Sequence, residues 1–443
     1  MSTSDESITT IHPLRASLQG STRVPGDKSI SHRAVLFSAM AQGLSKVSGV
    51  LDSGDVQSSL AAIEQLGARV DLKKQPDGSL AGTIEGWGAA GPVQPGTPID
   101  CGNSGTTARL LMGMLAPWDR EVAITGDDSL CKRPMRRITA PLMKMGVRFV
   151  PEGADTLPLS LTGTRSLKSI TYHAPMSSAQ LKTAVLLAGV YAKGTTTVTE
   201  PSPSRNHTEL MLPEYGIETT AVSGTASVKG PGVLKACDVA VPGDPSSAAF
   251  LACAAVLLPG SVLHIEGVSL NTARIGFVRT LEQMGATVSI RHTGAEGKEP
   301  FGTITASHTD VLRGCEIPAE KIATLVDEVP VLSLVAAFAR GVTVFRGVEE
   351  LRVKETDRLA AVTEGLGLLG VDAWIDGNDL FIEGQPGLRV PEGLVFDSHN
   401  DHRLAMTWAL VGLTGNRPVQ VANFDSVKIS YPRFLQDIER LAK

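Results

Sequence analysis

The strongest constraint on this chain is that it repeats itself. Six segments follow one order: a small or polar cluster, an apolar helix, a Gly or turn, then a β-branched strand. They occupy 25–50 ("PGDKSISHRAVLFSAMAQGLSKVSGV"), 100–126, 174–200, 241–268, 323–348 and 397–424. An amphipathic helix follows each strand and typically ends near a Gly, as in "SSLAAIEQLGARV" (58–70), "ELMLPEYGIETT" (209–220) and "LAAVTEGLGLLGVDAWI" (359–375). That Gly supplies the left-handed residue that closes a helix. The copies lie far beyond the ~20–50-residue period of solenoid repeats, so each reads as a small α/β unit of its own. Six units suggest three plus three. The junction falls near 240–243, where "ACDVAVPGD" opens a unit with no second-helix pattern before it. The competing reading is an ordinary α/β protein with repetitive grammar.

With 443 residues and 42% apolar content, the chain can bury more than one core. A net charge of −5 and the lack of any basic block argue against nucleic acid or an anionic membrane as partner. Positive potential must therefore be local. Five scattered cysteines without a C-x-x-C pair fit free thiols in a reducing compartment. The polar, acidic start "MSTSDESITT" lacks a secretory core, and the longest apolar runs are too short to span a bilayer. A cytoplasmic protein is expected.

Local positive potential gathers at the openings of the units. Lys28 and Arg33 lie in "PGDKSISHRA", Arg109 in "GNSGTTARL" and Arg403 in "NDHRLAM"; Arg133, Arg136, Arg137, Arg205, Lys354, Arg358 and Lys428 are expected to open the second helices. Helix starts already favour anions through free N–H groups and the dipole. Any one of these cations could simply pair with Asp27, Glu355, Asp357 or Asp401 at the surface. Their recurrence at matching places predicts a shared anionic ligand. "GDKSIS" is not the G-x-x-x-x-G-K-[ST] loop of nucleoside triphosphate sites. Asp327 in "TLVDEVPVL" stands beside Glu328 in apolar company, where a raised pKa and acid–base work are open to one of the two. Glu355 lies between Lys354 and Arg358, and Asp55 reads as a helix cap. His399 and His402 are three apart but lack the accompanying ligands of a metal site.

Taken together, "PGDKSISHRA", "GNSGTTARL", "DDSLCKRPM", "SSAQLKTA", "SRNHTE", "VDEVPVL", "LRVKETDRL", "NDHRLAM" and "FDSVKISYP" resemble the 3-phosphoshikimate 1-carboxyvinyltransferases (EPSP synthases), in family order from about residue 14 onward. The resemblance implies an α/β fold: a two-domain inside-out α/β barrel of six repeats, three per domain. Residues 1–23 and 243–443 would form one domain and 24–242 the other, with the active site in the cleft. It implies transfer of the carboxyvinyl group of phosphoenolpyruvate to the 5-hydroxyl of shikimate 3-phosphate through a tetrahedral ketal, without metal or organic cofactor. By motif position, Lys28, Ser29, Arg33, Ser178, Gln180, Arg205, Asp327 and Lys354 would bind shikimate 3-phosphate. Lys28, Gly105, Arg133, Gln180, Arg358, Arg403 and Lys428 would bind phosphoenolpyruvate, and Asn103 would shape its loop. Asp327, Glu355 and Lys28 would carry the two proton transfers.

The resemblance further implies a monomer whose cleft is splayed open by cation repulsion until ligand closes it. Glyphosate is the implied inhibitor. Gly105 leaves room for it, while Leu110 stands where many members have Pro. Two rivals stand beside this reading. One is the related UDP-N-acetylglucosamine carboxyvinyltransferase, with Cys131 as its loop thiol. The other is a non-catalytic phospholigand binder, which would gain nothing from Asp327 and Glu355.

Overall fold

The computed structural model describes residues 8–443. Residues 1–7, part of the expected first segment, lie outside the described residues. The fold is mixed α/β, with six small sheets and six nearly fully buried helices. It divides into two compact units. One gathers the described residues through Val24, Gly243–Gly294 and Pro300–Lys443; the other comprises Pro25–Pro242 and Ala295–Glu299.

In the Pro25–Pro242 unit the buried helices are Lys28–Met40, Gly105–Leu115 and Ala179–Gly189. In the other they are Pro245–Leu257, Val329–Ala337 and His402–Thr414. Each is buried on nearly every face, so apolar residues extend beyond a single stripe, and the polar residues that are buried with them, such as His32, Arg33 and Arg109, lie toward the helix starts. Close packing follows from small residues. A Cβ at Gly113 would sit 2.3 Å from the carbonyl oxygen of Ala184 on the neighbouring helix.

The sheets share one plan. Ile99–Asp100 pairs parallel with Glu121–Thr125, and the buried helix Gly105–Leu115 connects them. Glu121–Thr125 then pairs antiparallel with Leu159–Thr162, whose other neighbour is Arg148–Val150. The same order recurs for Thr171–His173 with Gly194–Thr199, and for Glu316–Ile317 with Gly341–Phe345. Two edge strands are exchanged where the chain passes between units. Gln19–Arg23 precedes the Lys28–Met40 helix but pairs with Val262–Ser269, while Val239–Ala240 precedes Pro245–Leu257 but pairs with Gln42–Val50. Ile8–Ile11 completes the last sheet, antiparallel to Val419–Ala422.

One glycine recurs with the plan. A Cβ at Gly86, Gly163, Gly230 or Gly384 would fall 2.2–2.4 Å from a carbonyl oxygen just past or within the end of the buried helix beneath it. No side chain fits there, so each hairpin can lie directly on its helix.

Two sequence expectations need correction. The second helix expected over 209–220 spans only His207–Met211, because Pro213 cannot extend the hydrogen-bond ladder. Asp55 is not a cap. Ser53 occupies the N-cap position of Gly54–Gln65, and Asp55 sits in its first turn, facing Lys28.

Candidate active site

Lys28 is the first residue of its helix, and Asp27 caps it by accepting from Ile30 N–H at 2.8 Å. The Lys28 ammonium lies 2.5 Å from Asp55. One turn on, Arg33 is buried. Its Nε donates to Thr208 Oγ1 at 2.8 Å, Nη2 to Thr183 Oγ1 at 2.8 Å and Nη1 to the Ser29 carbonyl at 2.9 Å. Burial lowers its pKa to about 10, against the opposing pull of Glu209 and Asp27. Between these two cations, His32 is fully enclosed. Its Nδ1 meets Ser59 Oγ, and hydroxyl contacts continue through Thr107 to Ser104.

The loop before Gly105–Leu115 carries the next group. Ser104 caps that helix. Arg133 donates to Asn103 Oδ1 at 2.6 Å, so Asn103 ties the Gly105 loop to the 127–135 segment. Arg109 donates to Gln180 Oε1 at 2.8 Å, and Gln180 donates onward to Thr106. Gln180 is thereby held with both ends of its amide assigned. Ser178 caps Ala179–Gly189 through Leu181 N–H, and Arg205 sits half-buried ahead of the His207–Met211 turn. Lys28, Ser29, Arg33, Gly105, Arg133, Ser178, Gln180 and Arg205 therefore all belong to the Pro25–Pro242 unit.

The other unit gathers the remaining candidates around Arg358, the first residue of Arg358–Leu368. Its Nε donates to Asp401 at 2.7 Å, Nη1 to Asp327 at 3.1 Å and Nη2 to Glu355 at 2.6 Å. Burial opposes the charge, but Asp401, Glu355 and Asp327 outweigh it and push Arg358 further up. Asp327 also faces Lys354 at 3.6 Å and Arg403 at 3.7 Å. Three cations from two segments, Lys354 and Arg358 in one and Arg403 in the other, thus converge on one carboxylate. Asp401 caps the His402–Thr414 helix through Arg403 N–H. His399 and Asn400 adopt φ of 50° and 57° just before it, so the loop makes a tight left-handed turn to deliver Asp401 to Arg358.

Lys428 stands apart. It lies in the 3-10 turn Phe424–Ile429, exposed and paired with Asp425 at 2.7 Å. Of the cations expected to open second helices, Arg136, Arg137 and Arg358 do so, whereas Arg133, Arg205, Lys354 and Lys428 lie ahead of theirs, in loops or short turns. Among the described residues no cluster of three or more His, Cys, Asp or Glu is placed to hold a metal ion. No helix among them is long and apolar enough to cross a membrane.

This constellation can be compared with known proteins. The family model for EPSP synthase (3-phosphoshikimate 1-carboxyvinyltransferase) matches residues 14–438. The chain belongs to the EPSP synthase family. A 3-phosphoshikimate 1-carboxyvinyltransferase of Shouchella clausii is 42% identical over 440 residues, covering 99% of this chain and 100% of that one. Another, of Xanthomonas campestris pv. campestris, is 44% identical, covering 94% and 93%. The structure of EPSP synthase from Acinetobacter baumannii superposes with a TM-score of 0.87 at 37% identity, over 98% of each chain. The enolpyruvyl transferase NikO from Streptomyces tendae, at 21% identity and a TM-score of 0.76 over 98% and 97%, shares the fold.

Sequence reasoning missed Asp55 as the partner of Lys28, Arg109 as the orienter of Gln180, and Asp401 as the anchor of Arg358. Each is a contact between segments remote in sequence, which spacing does not announce.

Proposed function

We propose that the chain transfers the carboxyvinyl group of phosphoenolpyruvate to the 5-hydroxyl of shikimate 3-phosphate, releasing phosphate by addition then elimination. The enzyme of this family acts in aromatic amino acid biosynthesis, and the same place in metabolism is proposed here. The finer architecture is proposed with it: two inside-out α/β barrels, 1–23 with 243–443 and 24–242, closing on the substrates from either side of a cleft.

The observation that carries the reading is Asp327, held by Arg358, Lys354 and Arg403 next to Glu355. A binder of anions has no use for carboxylates at that place. A transferase needs one group to take the 5-hydroxyl proton and another to protonate the enol methylene. Asp327 is assigned the first step, and Glu355, with Lys28, the second. Addition joins the 5-oxygen to C2 of the enol while the methylene becomes a methyl. Elimination returns a proton from that methyl and expels phosphate. Ser29, Arg33, Ser178, Gln180, Arg205 and Lys354 are assigned to shikimate 3-phosphate. Gly105, Arg133, Gln180, Arg358, Arg403 and Lys428 are assigned to phosphoenolpyruvate, whose carboxylate and phosphate suit guanidinium forks.

Phosphate release with both substrates present, and none with either alone, is the expected result. Release with UDP-N-acetylglucosamine in place of shikimate 3-phosphate would overturn the acceptor. The free form is proposed to be held open by repulsion among the cations and to close when the substrate phosphates and carboxylates neutralise them. Small-angle scattering should show compaction on adding shikimate 3-phosphate; an unchanged radius at saturation defeats that part. Glyphosate is proposed to compete with phosphoenolpyruvate, and the working form is proposed to be a cytoplasmic monomer.

A further inference from the structure

Among the buried charge clusters that the roles proposed above leave unused, one borders residues assigned to a substrate. It lies beneath Ser178 in the Pro25–Pro242 unit. The Glu200 side chain is fully covered and that of Lys182 is 4% exposed. Glu200 Oε1 accepts from Ser178 N–H at 2.7 Å. Its Oε2 accepts from Ser204 N–H at 3.3 Å and from Ser204 Oγ at 2.8 Å, and lies 2.9 Å from the Lys182 ammonium. Lys182 also meets Glu209 at 2.8 Å and the Ser204 carbonyl at 3.4 Å. One carboxylate thus ties two separate chain segments together. The first ends in Ser178 and leads to Gln180; the second carries Arg205.

Buried ion clusters are poor sources of stability. Well-packed apolar side chains often do as well or better, because desolvating the charges costs much of what their attraction returns. What a buried carboxylate does offer is several directional acceptor sites at one point. Here all of the contacts go to groups that flank Ser178 or Arg205.

We propose that Glu200 is a positioning residue for shikimate 3-phosphate. Held by Lys182, it sets the separation between Ser178 with Gln180 and Arg205, without touching the substrate itself. The inference rests on the assignment of those three residues to shikimate 3-phosphate.

The test is the Glu200→Gln variant, with Ser204→Ala as a milder one. In Glu200→Gln the amide turns a donor toward Lys182 or Ser204. KM for shikimate 3-phosphate should rise by about 10-fold or more, ~1.4 kcal/mol, while KM for phosphoenolpyruvate changes less than about twofold. The kcat at saturating substrate should fall by no more than about threefold, because uniform binding rather than the chemical step is affected. Ser204→Ala, which removes only the hydroxyl contact, should move the same constant in the same direction by about two- to fourfold. It also keeps the question open to measurement if Glu200→Gln does not fold. Calorimetric titration with shikimate 3-phosphate alone should show the same loss of affinity. Equal changes in both KM values, or a drop in thermal stability with neither KM altered, would make Glu200 a structural residue and overturn the proposal. If the unaltered protein neither binds shikimate 3-phosphate nor releases phosphate, the function itself is wrong, which is a different result.

Discussion

The two units hold their candidate arginines in opposite ways. In the Pro25–Pro242 unit, neutral groups do the holding. Arg33 donates to two threonine hydroxyls and a carbonyl, Arg109 to an amide and a carbonyl, and Arg133 to Asn103. In the other unit the holders are carboxylates: Arg358 meets three, and Lys354 and Arg403 share Asp327. A guanidinium fixed by neutral acceptors keeps its charge available to a ligand. One fixed by carboxylates has that charge largely spent, and in return orients the carboxylates. The first arrangement suits anion binding and the second suits proton transfer. Two lysines of that unit depart from this pattern: Lys182 lies between Glu200 and Glu209, and Lys28 pairs with Asp55; of the two, only Lys28 is assigned a proton transfer.

If that division is right, the largest effect belongs to the carboxylate side. Asp327→Asn keeps the shape and removes the proton acceptor. We expect kcat for phosphate release to fall by about 10²–10⁴-fold, the usual worth of a general base. The KM values should move far less. A large rise in KM with kcat intact would place Asp327 among the binding groups and erase the contrast. On the neutral side the pattern should invert. Arg133→Ala should raise KM for phosphoenolpyruvate by about 10- to 100-fold, the range expected for lost bonds to a charged group, with a smaller change in kcat. Steady-state kinetics on both variants decides between these outcomes.

A subtler probe is Gly105→Ala. The added Cβ would lie 2.8 Å from Arg109 Nη1 and 3.5 Å from Arg133 Nη1. The long Arg109 side chain can move, but Gln180 moves with it. We expect glyphosate, longer than phosphoenolpyruvate, to lose several-fold more inhibition than the substrate loses affinity. Inhibition unchanged in this variant would show that the Gly105 loop does not border that site.

How much of this could be read from the chain divides along the same line. The α/β grammar was legible because the buried helices and the glycines that close the second helices write their demands locally. A largely apolar helix of about three turns and a Gly that closes the helix after it are properties of local sequence. The candidate residues were legible because "GNSGT", "RVKETDR" and "NDHR" keep their own order. What stayed hidden were partnerships. Asp55 reads as a helix-start residue until the fold sets it against Lys28. The pairing of Gln19–Arg23 with Val262–Ser269 and of Val239–Ala240 with Gln42–Val50 has no local signature, since a short strand does not name its neighbour. Asp401 looked like a surface acid beside Arg403, and only the left-handed turn at His399 and Asn400 delivers it to Arg358.

The neutral wiring of the first unit can also be tested by pH. Burial drives the His32 pKa from 6.5 down to about 3, with Asp55 opposing and Lys28 and Arg33 assisting. In the unfolded chain the same imidazole takes a proton near its ordinary value. Stability linked to His32 is therefore present above 6.5 and is lost as pH falls from there toward about 3, because only the unfolded chain binds the extra proton. His32→Asn should flatten the stability–pH curve by about one proton across that window, read from denaturant midpoints at several pH values. An unaltered slope would mean that His32 carries a proton in the fold, and that the chain of contacts to Ser104 is not neutral.

The smallest effect expected is at Cys131, and it bears on what the first unit can do. That unit has cations and neutral acceptors but needs no nucleophile of its own if the chemistry lies with Asp327 and Glu355. Cys131 sits in the turn just before Arg133, and its Sγ donates to the Gly126 carbonyl at 3.3 Å. A thiol engaged in closing a turn is there for the loop. Cys131→Ala should therefore leave turnover within about twofold, since a weak S–H bond at a partly exposed turn contributes little. A loss as large as that of Asp327→Asn would put a reacting group in the unit assigned to binding. It would also favour the UDP-N-acetylglucosamine reaction, in which a loop thiol has a part, over transfer to shikimate 3-phosphate.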